Sequence, residues 1–416
     1  MRARLLFALC IAALVSLPGH AQATADSCDS DSNASAHAVA TFPPLPVEGE
    51  RSRSPAMPDA IRSIIYSNWA ALEPDGPPQM NKALALLKSE PAFVEFAHGR
   101  DVFGEHLLGT FSILAAWGLP KEIARCGLFH TAFSGDLFIF HFYKSESAAD
   151  RSKLRDVIGT EAERLVHLFG TMDRSVVNRS LFELPNATLA LEPRTIRARH
   201  GPLDITPEDQ AAIMVVTIAD YLDQMVAVNG WRDVYQHESP ARLYPGDGKP
   251  EVALYWFSRV CRGIAPFLRI IPPIFDGCTA EITREDETAA RDLYWSVVTG
   301  EASMGAVDQE RLLLEAVSLN PWVAEPHVQL AQLFFNAGRY PEAAEEAREA
   351  LRLLYTWASC WDKRIPFRQW VGFARMMLLR ATRRAADLSS MPFSSEHENF
   401  HCGPLVSLKE VVSEMA

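Results

Sequence analysis

Two histidines and two aspartates lie in apolar stretches with helical periodicity. His106 and His130 belong to GEHLLGTFSILAAWGLPKEIARCGLFHTAFSGD, and Asp220 and Asp223 belong to ITPEDQAAIMVVTIADYLDQMVAV. Imidazole and carboxylate groups bind divalent metals, and a carboxylate near a buried helix face is costly unless it is paired or metal-bound. We therefore expect His106, His130 and Asp220 to line a pocket and to bind a divalent metal such as Fe, Mn or Zn. Asp223, one turn further on, is either a partner of this group or a solvent-side residue.

The pocket has three further candidate residues. Thr131 directly follows His130. Asp136 could swing into the pocket or cap a loop, and Glu161 could face the site or act as a first-turn acid of its own helix. The two histidines also have a purely structural interpretation, because buried polar groups need hydrogen bonds whether or not a ligand is present. Cys126, four residues before the second histidine, is expected to be a small buried hydrophobe.

Helical periodicity also predicts the elements that carry these residues. The first helix of the histidine segment should stop at Gly118 and Pro120, and a second should follow directly. The stretch DVIGTEAERLVHLFGTM predicts one further helix with Thr160 as a cap, and Thr206 is a natural N-cap for the helix with the two aspartates. Strands are expected only around residues 188–197. The pattern predicts an all-α protein.

The segment HLLGTFSILAAWGLPKEIARCGLFHT, with a later aspartate on an apolar helix, resembles the HD superfamily over residues 101–228. The similarity is closest to the hydrolase domain of ppGpp-degrading enzymes. HD domains are all-helical and bind a divalent metal through a histidine, a His-Asp doublet and a distant aspartate. The resemblance implies an HD-like helical bundle with His106, His130 and Asp220 at metal-binding positions.

The segment departs from that pattern at the doublet. Thr131 stands where the doublet has its aspartate, and Ser134 and Gly135 stand where the ppGpp hydrolases have an acidic pair. A site without those carboxylates has less charge for metal binding and lacks groups that activate water. The chain is also similar to divergent HD-like helical domains that carry GLFH-x-x-(Y/F)-(S/G). This resemblance implies a fold and candidate site positions.

The stretch AEPHVQLAQLFFNAGRYPEAAEEAREALRLL resembles a tetratricopeptide repeat (TPR). Small residues at the repeat offsets let two antiparallel helices pack closely, and Gly338 with Tyr340 makes the turn between them. Flanking helices predict a TPR-like module of two to three hairpins, which is short for an extended binding groove. The module could bind a protein or peptide partner or could have a structural role within the chain. The candidate partner-contacting residues are His327, Phe334, Trp361 and Arg364.

The first 23 residues, MRARLLFALCIAALVSLPGHAQA, are typical of a secretory signal peptide. Two arginines precede a short apolar core, and Ala-Gln-Ala forms a cleavage site. The core of about 13 residues is shorter than the roughly 20 needed to span a bilayer. We expect an exported protein that is periplasmic or secreted, without stable membrane insertion.

Composition limits the partners and suggests the domain order. The 416 residues carry a formal charge of −12 without a long basic run, which disfavours nucleic acid. The expected divisions are a signal peptide (1–23), a disordered linker (24–56), an HD-like helical domain (57–232), a connecting segment with an aromatic helix (233–284), a TPR-like helical module (285–390) and a C-terminal tail (391–416).

Three functions fit these patterns. The first is a ligand- or partner-binding protein with a degenerate HD-like pocket. The second is a metal-dependent hydrolase or oxygenase with a non-standard HD-type site, in which the metal lowers the pKa of a bound water. The third is a scaffold that acts through the TPR-like hairpins. Whether the chain is an enzyme is left open at this point.

Overall fold

The computed structural model is almost entirely helical, which confirms the all-α prediction. It describes residues 52–53, 77–89, 97–98, 101–133, 142–172, 194–198, 201–224, 257, 260–261, 263–272, 274, 282–298, 304–362 and 365–390. The predicted signal peptide, the linker and the C-terminal tail lie outside these ranges, apart from two linker residues in a short strand.

The described helices fall into an N-terminal group and a C-terminal group. The first group consists of α1 (Pro77–Ser89), α2 (Phe103–Ala116), α3 (Lys121–Phe129), α4 (Ala148–Ile158), α5 (Thr160–Thr171) and α6 (Pro207–Gln224). The second consists of α7 (Arg284–Val298), α8 (Ala306–Leu319), α9 (Ala324–Asn336), α10 (Tyr340–Trp357) and α11 (Phe367–Ser390). A 3-10 turn, Ala265–Phe267, lies between them and contacts α6.

The described strands are short and form three two-stranded pairs. They are β1 (Ser52–Arg53), β2 (Ala97–His98), β3 (Asp101–Val102), β4 (Arg194–Ala198), β5 (Gly201–Ile205) and β6 (Ile270–Ile271). Strands β2 and β3 pair antiparallel, as do β4 and β5, whereas β1 and β6 pair parallel. Strand β4 overlaps the strand expected near residues 188–197, and β5 leads directly into α6.

Helices α2 and α3 form an antiparallel hairpin at the centre of the N-terminal group. The chain reverses where Gly118 takes a positive φ of 70° and Pro120 occupies the N-cap position of α3, as the sequence predicts. Most residues of α2 are themselves buried, as is typical of a helix in the interior of a protein. Helix α6 packs against both members of the hairpin, and α5 packs against α3.

The helix predicted with a cap at Thr160 in DVIGTEAERLVHLFGTM is present as α5, and the residues before it belong to α4, because the chain breaks at Gly159. This glycine has φ 92° and ψ 161°, a conformation almost confined to glycine. Helix α4 therefore ends at Ile158 and α5 begins at Thr160, so Thr160 is the first helical residue rather than the cap. The N-cap predicted for α6 is correct, since the Asp209 backbone N–H donates to Thr206 Oγ1 at 3.1 Å.

Consecutive helices of the C-terminal group pack on one another from α7 to α11. Gly338, with φ 76°, makes the turn between α9 and α10. Some buried apolar side chains of this group, Trp357 among them, belong to the same cluster as those of the N-terminal group, whereas others form two smaller clusters of their own. Trp117, fully buried after α2, donates from Nε1 to the backbone oxygen of Thr356 in α10 at 3.1 Å.

Within the described residues, every helix is too short or too polar to cross a membrane.

Candidate functional site

The two histidines come together because α2 and α3 are antiparallel neighbours. His106 lies in the first turn of α2, and His130 occupies the C-cap position of α3, so both belong to the same end of the hairpin. Their rings are 5.3 Å apart and nearly perpendicular. Phe169 of α5 contacts the second ring edge-on at 5.1 Å. The histidines therefore face each other in an environment with little water.

Helix α6 adds two carboxylates to this pair. Asp220 Oδ1 lies 3.3 Å from His106 Nε2 and 3.7 Å from His130 Nε2. Asp223, one turn further along, accepts a hydrogen bond from His106 Nδ1 at 2.7 Å. The first carboxylate thus faces both imidazoles, and the second holds one of them from the opposite side of the ring.

Both imidazole rings are oriented by hydrogen bonds at Nδ1. His130 Nδ1 donates to the carbonyl oxygen of Gly127 at 2.7 Å, and His106 Nδ1 donates to Asp223. These partners accept only, so each Nδ1 carries a hydrogen. In its neutral form each ring then directs the lone pair of Nε2 towards Asp220. Ligand histidines in metal sites are commonly oriented by such partners.

The group of His106, His130 and Asp220 could hold a metal ion. One ligand atom from each residue lies within 4.8 Å of the other two, and all three residues are buried. Two imidazole nitrogens and one carboxylate oxygen are a usual donor set for divalent transition metals. The convergence matches the expected metal-binding group, and Asp223 takes the partner position beside it.

The two carboxylates also determine the protonation of His106. Burial lowers the pKa of this imidazole, but the hydrogen bonds and negative charges of Asp220 and Asp223 outweigh burial and raise it to about 9. The negative charge of the two carboxylates stabilises a proton on the histidine between them, and the same charge would stabilise a metal cation at this place. Metal binding at Nε2 requires that proton to leave.

The other pocket candidates have different positions. Thr131 is buried, with its side chain 6% exposed, and its Oγ1 has no hydrogen-bond partner among the described residues. Asp136 lies outside the described ranges. Glu161 does not face the site, because its exposed carboxylate pairs with Arg164 at 2.6 Å. Cys126 is fully buried, as expected, and is not a member of the metal-binding group.

The candidate partner-contacting residues are mostly interior. His327 is 7% exposed and bonds to Glu346 at 2.6 Å, and Phe334 is 4% exposed. Trp361 is also buried and contacts neighbouring aromatic rings. Arg364 lies outside the described residues. These three side chains offer little surface to a partner in this conformation.

Sequence reasoning missed a second buried acid close to the site helices. Glu163 of α5 is 1% exposed and accepts hydrogen bonds from Arg151 at 2.6 Å and from Arg155 at 3.0 Å. Both arginines belong to α4, so the ion pairs hold the two helices together across the break at Gly159. Gly159 is the sequence feature that could have indicated this helix break, because a glycine inside a helical pattern often marks an end.

A family model described as a domain of unknown function, DUF6817, matches residues 86–174. The matched range contains both histidines and Thr131, whereas both aspartates of the site lie beyond it. No curated protein and no solved structure matches the chain.

Proposed function

We propose that the N-terminal helical group binds one divalent transition metal through His106, His130 and Asp220 and uses it in a metal-dependent hydrolytic reaction. The observation that carries the proposal is the convergence of three ligand atoms in a buried place, within 4.8 Å of one another. Two nitrogen donors favour Zn, Fe or Mn over Mg or Ca, which prefer oxygen ligands.

The arrangement of charges supports a cation at this place. Asp220 Oδ1 lies 3.3 Å from His106 Nε2 and 3.7 Å from His130 Nε2, so one carboxylate faces both imidazoles in a buried setting. Burying such groups is unfavourable unless a proton or a metal compensates them. A purely structural histidine pair would not need both Nδ1 atoms held so that both Nε2 atoms face one carboxylate.

Three protein ligands are the pattern of catalytic rather than closed structural metal sites. A metal held there would act as a Lewis acid and lower the pKa of a water ligand towards neutrality. Asp220 would supply the one anionic ligand, and the neutral Thr131 hydroxyl, buried beside His130, would be available to hydrogen-bond water or substrate. Phe169 would exclude bulk water from the ligand side of the second histidine.

The same donor set favours a second candidate reaction. Two histidines and one carboxylate form the ligand set of non-haem iron oxygenases, which leave positions open for oxygen and substrate. If the bound metal is iron, oxygen chemistry becomes the better assignment. A binding protein with a degenerate pocket is the third candidate, and it requires no metal in these positions.

The wider organisation is part of the proposal. The helix-borne order of histidine, histidine and aspartate supports an HD-like domain, and the α9–α10 hairpin with its glycine turn supports a TPR-like module. The contact of Trp117 with α10 supports an intrachain role for that module rather than a peptide groove. The signal-like first 23 residues support export to the periplasm or the medium.

Metal content tests the central assignment. We expect the purified chain to carry about one Fe, Mn or Zn per molecule by elemental mass spectrometry, and His130→Ala to carry almost none. His327→Ala is the matched control, since His327 is also buried and also bonds to a carboxylate. Absence of metal from the wild type after loading, or equal metal in His130→Ala, would contradict the proposal.

Activity assays separate the two reactions. The metal-loaded wild type is expected to hydrolyse an ester or phosphoester panel at a rate that His130→Ala loses. Oxygen consumption by the iron-loaded protein, with no hydrolysis in any metal form, would favour the oxygenase instead.

A further inference from the structure

Asp223 lies outside the proposed ligand set and yet makes the shortest carboxylate contact in the site. Its Oδ2 accepts the hydrogen bond from His106 Nδ1 at 2.7 Å, whereas the nearest distance from Asp220 to an imidazole is 3.3 Å. The Asp223 side chain is 26% exposed, so it forms the solvent edge of an otherwise buried group. Its contact is with the ring atom opposite the proposed metal-binding nitrogen.

A glycine in α2 makes room for this carboxylate. A Cβ atom added at Gly109 would lie 2.0 Å from Asp223 Oδ1 and 2.6 Å from its Cγ. Any larger residue at this position would therefore displace the carboxylate from His106. Glycine weakens the interior of a helix relative to alanine, so its presence here is accounted for by the close approach of Asp223.

We propose that Asp223 is a positioning residue for His106, seated against Gly109, and that this inference rests on the metal site of the proposed function. The carboxylate holds the hydrogen on Nδ1, fixes the plane of the ring and increases the basicity of Nε2. Carboxylates that act in this way on a ligand histidine typically change metal affinity by about 10-fold to 100-fold. Asp223 does not itself bind the metal.

Two substitutions perturb this contact by different routes. Asp223→Asn removes the charge and keeps the size, whereas Gly109→Ala keeps the charge and pushes the carboxylate away. The matched control for the first is Asp209→Asn, because Asp209 is also a partly buried, ion-paired acid of α6. The matched control for the second is Gly372→Ala in α11, where an added Cβ meets nothing within 4 Å.

The measurement is the affinity of the full chain for Zn²⁺, by competition with a chromophoric chelator, together with the visible spectrum of the Co²⁺-loaded protein. Both site variants are expected to bind Zn²⁺ about 10-fold to 100-fold more weakly and to shift the Co²⁺ bands. Asp223→Glu should recover part of the affinity. The two control variants should match the wild type in both measurements.

The outcomes distinguish this inference from the metal site itself. Wild-type affinity and an unchanged Co²⁺ spectrum in Asp223→Asn, with binding lost in His130→Ala, would overturn the positioning role and leave the metal site intact. A wild type that binds neither Zn²⁺ nor Co²⁺ would overturn both. Weaker binding by both control variants to the same extent would show a general loss of stability and would also overturn the role.

Discussion

Asp220 lies within 3.7 Å of the Nε2 atoms of both histidines, and His106 lies between two carboxylates. In water such groups would be solvated, but here they are buried against α5 and α6. A proton on His106 satisfies part of this arrangement, and a divalent cation would satisfy all three inward-facing atoms at once. Residue chemistry therefore favours a cation site over a simple pair of core histidines.

Thr131→Asp tests whether the site accepts a further carboxylate directly after His130. We expect the metal-free variant to melt below the wild type, because it buries a charge without compensation. With excess Mn²⁺ or Zn²⁺ its stabilisation should exceed that of the wild type, by about 1.4 kcal/mol for each tenfold gain in affinity. Thermal melting with and without metal provides the measurement.

Thr131→Val is the control for this substitution, since it keeps the shape and removes the hydroxyl without adding charge. A metal-induced rise in Tm that is the same for Thr131→Asp and Thr131→Val would contradict the prediction that residue 131 faces the metal.

At the scale of elements, the start of α2, the end of α3 and the C-terminal part of α6 build the site. The antiparallel α2–α3 hairpin aligns the start of one helix with the end of the other, and α6 crosses both near its own C-terminal end. Glycine allows two close approaches: a Cβ at Gly109 of α2 would collide with Asp223 of α6, and one at Gly127 of α3 would lie 2.4 Å from Leu114 Cδ1 of α2. The apolar pattern predicts each helix, but these close approaches decide the register between them.

A buried glutamate joins elements in the C-terminal group. Glu325 of α9 is fully buried, and its Oε1 accepts hydrogen bonds from the backbone N–H groups of Trp361 and Asp362 at 2.6 and 2.9 Å. Tyr294 of α7 donates its hydroxyl to Asp362 Oδ2 at 2.9 Å. Burial raises the pKa of the Glu325 carboxyl to about 7, and the negative charge of Asp362 adds to the rise, although the backbone hydrogen bonds oppose it.

This raised pKa predicts that the folded protein loses stability as pH rises. The folded pKa of about 7 exceeds the ordinary glutamate pKa of 4.5, so the folded state binds the proton more tightly than the unfolded state. The contribution is complete below pH 4.5 and is lost as pH rises through 7. Its full size is roughly 3 kcal/mol at 1.36 kcal/mol for each pKa unit.

Chemical denaturation of the wild type and Glu325→Gln between pH 4.5 and 8.5 measures this effect. Glutamine does not titrate, so the variant lacks the pH-dependent contribution of Glu325. The free energy of unfolding of the wild type, minus that of the variant, should therefore decrease as pH rises. A difference between the two proteins that stays constant across the range would contradict the assignment.

At the scale of the whole molecule, the two helical groups share one apolar core. Trp117 is the clearest link, since it is fully buried beside the site hairpin and bonds to the backbone of α10. The site is therefore stabilised partly by the C-terminal group. This coupling gives the C-terminal group a structural role that does not depend on a bound peptide.

Trp117→Ala tests the coupling. Loss of a fully buried tryptophan is expected to lower the free energy of unfolding by about 3–5 kcal/mol. Loss of helical signal by circular dichroism and release of bound metal should shift together to lower temperature, because both groups depend on the shared core. Leu379→Ala is the control, as Leu379 is 51% exposed on α11.

Trp117→Phe should have a smaller effect, since it keeps most of the apolar contact and removes one hydrogen bond, worth about 1 kcal/mol. Separate transitions for metal release and helix loss in Trp117→Ala, with metal release unchanged, would contradict a shared core.

The sequence alone predicted most of the helices and the three converging site residues. Periodicity identifies a helix because the buried face repeats with the turn, and an aspartate or histidine on that face is conspicuous against its apolar neighbours. Periodicity did not show that the residues before the predicted cap at Thr160 belong to a separate helix, α4, which ends where Gly159 adopts a backbone conformation that only glycine adopts easily. It left Glu161 either facing the site or in the first turn of its own helix, and the second is observed: Glu161 pairs with Arg164 at the surface, whereas Glu163 is buried.

Local pattern determined the all-α class, the α2–α3 reversal at Gly118 and the cap at Thr206, because each depends on residues within a few positions of one another. Tertiary structure alone decided that Asp223 holds Nδ1 of His106 and that Glu325 meets the backbone at Asp362. Both contacts join atoms far apart in the chain. Their geometry depends on helix register and close packing, which are set by the sum of many side-chain volumes rather than by any one motif.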